Sequence, residues 1–136
     1  MKLNLKKIKS ENGQSVVEFA LVIPLLLIII LGILEFGWLL NAQITLTSAA
    51  RESARAAAVS TVDKENRAFN AAVAAVDASG ITLIHDADHF GYSVEEDITN
   101  NVSNVVIDIK GDVAPLIGLF VGNPYQIQAK AVMRLE

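Results

Sequence analysis

Two carboxylates interrupt the most apolar stretch of this chain. "NGQSVVEFALVIPLLLIIILGILEFGWLL" runs from Asn12 to Leu40 and carries no charge except Glu18 near its start and Glu35 near its end. An acid in the first turn of a helix is favoured by the helix dipole and can pair with an amine. Left unpaired in apolar surroundings, it costs on the order of several kcal/mol. Glu18 therefore calls either for a cationic partner or for headgroup water. Glu35 lies near Trp38, a residue type that collects at membrane interfaces. Solvation at the membrane boundary is the favoured reading of Glu35, with a partner contact as its alternative.

The other chemically suggestive group is "HDADH", residues 85–89. His85 and His89 flank Asp86 and Asp88, and imidazole with carboxylate is a donor set that divalent metals accept. The stretch falls between two strand candidates, so a solvated polar turn is the reading preferred over a metal site. HExxH, P-loop and GxSxG motifs are absent, and neither histidine has a nucleophile beside it in sequence. The expectation is a protein with no catalytic residues, no metal and no cofactor. Asn101-Val102-Ser103 matches a glycosylation sequon, a pattern common by chance.

The elements that place these residues follow from periodicity. From Phe19 to Leu34 no residue is charged, and Phe36 to Leu40 extend the run. A bilayer core needs about 20 apolar residues in a helix, so residues 16–40 read as one transmembrane helix. Pro24 lies inside it and should kink or loosen it. Beyond Leu40 the chain continues to Ser60 without Pro or Gly and is rich in Ala, the best helix former. A helix over 14–60, about 45 residues, would be about 70 Å long, more than a bilayer holds. Ser48, Ala49, Ser53, Ala56 and Ala57 are small enough to admit another helix closely; plain helix propensity explains them equally well.

A second helix is expected over Val62–Ala78, capped by Ser60, Thr61 or Asp63 and stopped by Ser79-Gly80. Its apolar stripe would be Phe69, Ala72, Val73 and Val76. Strands are expected over 81–84, 90–94, 104–110 and 125–134, with Gly111-Asp112 and Gly122-Asn123-Pro124 as punctuation. Val105, Ile107 and Ile109 should share one face, and so should Tyr125, Ile127, Ala129, Ala131 and Met133. "PLIGLF" (115–120) reads as a short core-packing helix or buried loop, the alternative being an exposed patch that touches membrane or a partner. The fold class is α+β: a long N-terminal helix, a second helix and a short antiparallel sheet. The expected organisation is a basic leader over 1–13, the long helix over 14–60 and an extracytoplasmic domain over 61–136.

Charge orients the span and excludes one class of partner. Lys2, Lys6, Lys7 and Lys9 precede the span, and no Lys or Arg follows until Arg51. Cationic flanks stay on the cytoplasmic side, so the N-terminus should be cytoplasmic and the C-terminal domain extracytoplasmic. The net charge is −4, and the rest of the chain is more acidic still without those lysines. No basic patch with interleaved aromatics suggests nucleic-acid binding.

The spacing at the leader junction is more specific. A lysine-rich leader ends in Gly13, four residues follow (Gln14, Ser15, Val16, Val17), then Glu18 and Phe19 open the apolar helix. This pattern resembles the processing site of type IV pilin-like precursors. The longer phrase "GQSVVEFALVIPLLLIIILGILEFGWLLNAQITLTSAARESARAAAV" resembles the TadE-like family of the Tad, or Flp, tight-adherence pilus machinery. "IQAKAVMRLE" (127–136) resembles the terminal strand of such proteins more weakly.

The resemblance implies a pilin-like fold and a pseudopilin that assists assembly or secretion of the pilus. It implies cleavage between Gly13 and Gln14 by a prepilin peptidase, with Glu18 and Phe19 as the assembly pair. The partners implied are that peptidase, other pilin-like subunits, the inner-membrane platform of a Tad-type system and the lipid bilayer. The location implied is the bacterial inner membrane, single-pass, with pilus association open. The new α-amino group would be largely protonated at neutral pH and could belong to a neighbouring subunit when Glu18 pairs with it. Two features depart from main-shaft pilins and favour an accessory protein: Gln14 rather than Phe would come first, and a domain follows the helix. The competing reading is a signal-anchored envelope protein with an extracytoplasmic binding domain, unconnected to a pilus.

Overall fold

The computed structural model describes residues 11–97 and 102–135. Lys2, Lys6, Lys7 and Lys9 of the leader, and Asn101 of the sequon, lie outside the described residues. The architecture is α+β: a long helix α1 (Glu11–Val59), a helix α2 (Lys64–Val76), and strands β1 (Ile81–Leu83), β2 (Phe90–Asp97), β3 (Val102–Val113) and β4 (Tyr125–Arg134). The chain divides into two compact units, Met1–Ile33 and Leu34–Glu136.

In the first unit, the described side chains from Gly13 onward are exposed, apart from half-buried Ile23, Leu31 and Gly32, which interleave with bare neighbours. A helix apolar all round, with its described side chains largely exposed, is suited to lipid. It is the one described helix long and apolar enough to cross a membrane, and its most apolar window has no buried residue.

In the second unit, α1 changes character. Glu35, Leu39, Ala42, Leu46, Ala49, Ser53 and Ala57 are buried, and steps of three and four residues make that one stripe. The stripe lies on a four-stranded antiparallel sheet centred on β3. β4 pairs along one edge of β3, from Asn104↔Arg134 to Val113↔Tyr125. β2 and β1 share the other edge, at residues 102–109 and 111–113 of β3. Val105, Ile107 and Ile109 are buried as their alternation requires, and Ala129 and Ala131 on β4 sit opposite the latter two. Tyr125 and Met133, expected on that face of β4, are exposed and half-buried respectively, because they stand at the two ends of the strand.

Three sequence expectations need correction. Gly111-Asp112 does not end a strand; β3 runs through it to Val113. The glycine is there for space: a Cβ at position 111 would meet Ile81 Cγ2 at 2.6 Å and Leu46 Cδ1 at 3.4 Å. The missing side chain lets α1 and β1 close on the sheet. On α2 the buried positions are Ala68, Ala72 and Val76, with Phe69 half-buried and Val73 largely exposed. The stripe is rotated one residue from expectation because Ser53 Oγ donates to the Ala68 carbonyl at 2.7 Å and fixes that edge of α2 against α1. The small residues of α1 thus receive α2 of the same chain at Ser53, while Ser48 stays exposed. Finally, Asp63 stands at the N-cap of α2 in a left-handed conformation without a side-chain cap bond to the backbone. Its carboxylate accepts from the Asn66 side chain instead. Gly80, at φ 69°, ends the turn after α2.

Candidate functional site

Two groups of residues on α1 carry polar chemistry in an apolar setting. Gly13, Gln14, Glu18 and Phe19 are brought together by helical spacing. All four are exposed, with Phe19 at 65%. Gln14 Nε2 donates to Glu18 Oε1 at 3.0 Å, an i to i+4 bond along one helix face. That bond uses one of the two carboxylate oxygens. The Gly13–Gln14 peptide bond, the expected cleavage point, lies inside the α-helical segment, directly before the residue that orients Glu18.

The second group surrounds Glu35, and here the structure overturns the expectation of a solvated residue. Glu35 is fully buried. Its Oε2 accepts from the Ile117 backbone N–H at 2.7 Å. Its Oε1 is buried with no hydrogen-bond partner among the described residues. One turn on, Trp38 Nε1 donates to the Ala114 carbonyl at 3.1 Å. Side chains of α1 therefore hold the segment 114–117 at two points. A third bond, from Gln43 Nε2 to the Gln128 carbonyl at 2.8 Å, satisfies a backbone acceptor on β4. The signal for Glu35 was present in the sequence: it stands four residues before Leu39 and seven before Ala42, on the stripe that faces the sheet. Its acidity masked that periodicity. Residues 115–120 form neither a helix nor a buried loop. They are irregular, with Pro115 and Ile117 half-buried and Leu116, Leu119 and Phe120 exposed.

This helix, with a bare apolar half opening at Gly13 and a sheet-facing half beyond Glu35, is the part of the chain with recognisable relatives. Residues 13–55 match the family model described as TadE-like protein. The match agrees with the family suggested by the residues around Gly13 and Glu18. The TadE-like segment holds both groups of α1 residues together with Ser53, and it stops before α2 and the sheet. No curated protein and no solved structure matches the chain.

Outside the TadE-like segment, the 85–89 cluster is a turn built on Asp86. Its Oδ1 accepts from the backbone N–H groups of Asp88 and His89 at 3.0 and 2.9 Å, and lies 2.7 Å from His89 Nδ1. The His89 side-chain bond is the main reason the Asp86 carboxyl is held below its ordinary range, with the backbone donors adding to it. His85 turns the other way. It stacks on Phe69 with ring centroids 4.2 Å apart, and its Nε2 is 4.0 Å from Glu65. The two histidines do not converge, and no group of three or more metal-type side chains is assembled among the described residues. The cluster joins β1 to β2 and packs an aromatic group, Phe69, His85 and Phe90, against α2.

Proposed function

We propose that this chain is a pilin-like accessory subunit, a pseudopilin, of a Tad-type pilus system, anchored in the bacterial inner membrane by the apolar half of α1. A prepilin peptidase removes the leader between Gly13 and Gln14. The new amine then lies one helical turn from a carboxylate, at the start of an exposed apolar helix. In an assembly, Glu18 pairs with such an amine on a neighbouring subunit, which selects one axial register, because the unpaired alternative leaves a charge in apolar surroundings. The C-terminal domain faces the extracytoplasmic side and meets pilin-like subunits or the membrane platform. The role is structural and uses no cofactor.

The observation that supports this reading best is the placement of Gly13, Gln14, Glu18 and Phe19 on an exposed helical segment inside the TadE-like match. The decisive experiment is mass spectrometry of protein extracted from membranes of a host with an active prepilin peptidase. The expected first residue is Gln14. Retention of the leader in that host would refute the proposal and leave the signal-anchored envelope protein. Glu18→Ala should abolish pilus biogenesis while membrane insertion persists; unchanged pilus output would refute the pairing role.

A further inference from the structure

The loop after β3 presents Leu116, Leu119 and Phe120 to solvent, at 55%, 69% and 42% exposure. Three exposed valines elsewhere in the same unit have charged neighbours: Val62 precedes Asp63 and Lys64, Val94 precedes Glu95 and Glu96, and Val132 lies between Lys130 and Arg134. The loop differs, because no charged residue lies between Asp112 and Lys130. Nor does one lie on α1 between Glu35 and Arg51. These two charge-free stretches meet. Glu35 and Trp38 hold the backbone at Ile117 and Ala114, and a groove of about 390 Å³ between the stretches is lined by apolar residues such as Phe36, Leu40 and Val121 together with Gln43, Gln126 and Gln128.

The level at which the loop is held identifies what covers it. Leu34 closes the uncharged run that starts at Phe19. Glu35 to Trp38 is the next helical turn, so the attachment lies within about 6 Å of the end of that run. Trp38 and Tyr125 are residue types that settle at the headgroup level. An exposed, charge-free, apolar loop held beside such residues has the character of a surface that enters a lipid interface.

We propose that Leu116, Leu119 and Phe120 insert into the headgroup–acyl boundary of the bilayer, making the loop a second membrane contact beside the helix. This rests on the membrane-anchor reading of α1. Glu35 acts as a positioning residue: its buried carboxylate fixes the loop backbone at bilayer height, and lipid rather than a protein groove receives the three side chains. The contact would orient the C-terminal domain on the membrane before any subunit engages it.

The chain contains no cysteine, so single labelling sites can be introduced cleanly. The full chain carrying Leu119→Cys, Ile29→Cys or Val62→Cys is labelled with an environment-sensitive fluorophore. Each is reconstituted at low protein density in phosphatidylethanolamine–phosphatidylglycerol vesicles. Quenching by lipids carrying a nitroxide high on the acyl chain is compared with quenching by aqueous iodide. The proposal expects labels at 119 and 29 to lose most of their fluorescence to the lipid quencher and little to iodide, with the reverse at 62. Iodide quenching at 119 equal to that at 62, with 29 still in lipid, overturns the loop proposal alone. Protection of 119 from both quenchers also overturns it, because a protein surface then covers the loop. Failure of lipid to quench 29 overturns the anchor reading, and the loop proposal with it.

Discussion

Replacing Glu35 by Leu tests whether this residue is kept for stability or for position. The hydrogen bond from Ile117 to a charged acceptor is worth about 1.5–3 kcal/mol. Against it stands Oε1, buried without a partner among the described residues, which carries a desolvation penalty of about 1–3 kcal/mol and more where the group is charged. Leucine removes both terms while filling a similar volume beside Leu39. The penalty offsets the bond, so the domain should lose no more than about 1 kcal/mol of stability, or about 4–8 °C in Tm for a domain near this size. The local effect should be much larger. The Ile117 amide loses its acceptor, and about 1.5–3 kcal/mol of lost local protection corresponds to roughly 10- to 150-fold faster hydrogen exchange. The assay is hydrogen exchange across residues 112–122 of detergent-solubilised protein, with thermal unfolding followed by circular dichroism on the same sample. Glu35→Gln, which keeps an acceptor, should retain most of the protection. Unchanged exchange at Ile117 in the leucine variant, or loss of more than about 3 kcal/mol of global stability, would refute the reasoning.

Two further outcomes follow from packing and charge. Gly111→Ala should destabilise the domain by about 1–2 kcal/mol in thermal or denaturant unfolding, because overpacking costs about 1–3 kcal/mol and removing a strand glycine returns less than 1. The same change at Gly91, where the nearest atom would lie at 3.4 Å, should be close to neutral; equal effects at the two sites would contradict the close approach described at Gly111. For Asp86, the folded-state pKa is depressed, chiefly by His89. Its stabilisation of the turn is therefore fully present above the ordinary aspartate range and is lost as pH falls through the lower folded value. A carboxyl-detected NMR titration should find the Asp86 midpoint below that range, and His89→Ala should move it upward; an unmoved midpoint would refute the bond.

Much of the domain was legible because alternation and period report burial directly. β4 falls on 125–134 as read, and Val105, Ile107 and Ile109 share one buried face, since alternate side chains of a strand point the same way. Gly111 was misread because a glycine in sequence signals a turn and a close approach equally well, and only the position of Leu46 and Ile81 distinguishes them. Val73 was misplaced for a related reason: two apolar stripes one residue apart fit the same helix, and the Ser53 bond to Ala68 decides which one is buried.

The residues proposed for processing and assembly are a matter of local order. Gly13, Gln14, Glu18 and Phe19 lie within two helical turns, so their mutual placement follows once that stretch is helical. Glu35 is the opposite case. Its donor is 82 residues away in the chain, and composition gives an acid beside Trp38 every reason to face water. The amino-acid sequence by itself determined a lipid-compatible helix, an alternating sheet and a family signature, because each depends on neighbours a few residues apart. The tertiary structure alone decided that an acid would be sealed under a loop and three apolar side chains left bare, because that depends on which distant backbone amide the folded chain delivers to the helix.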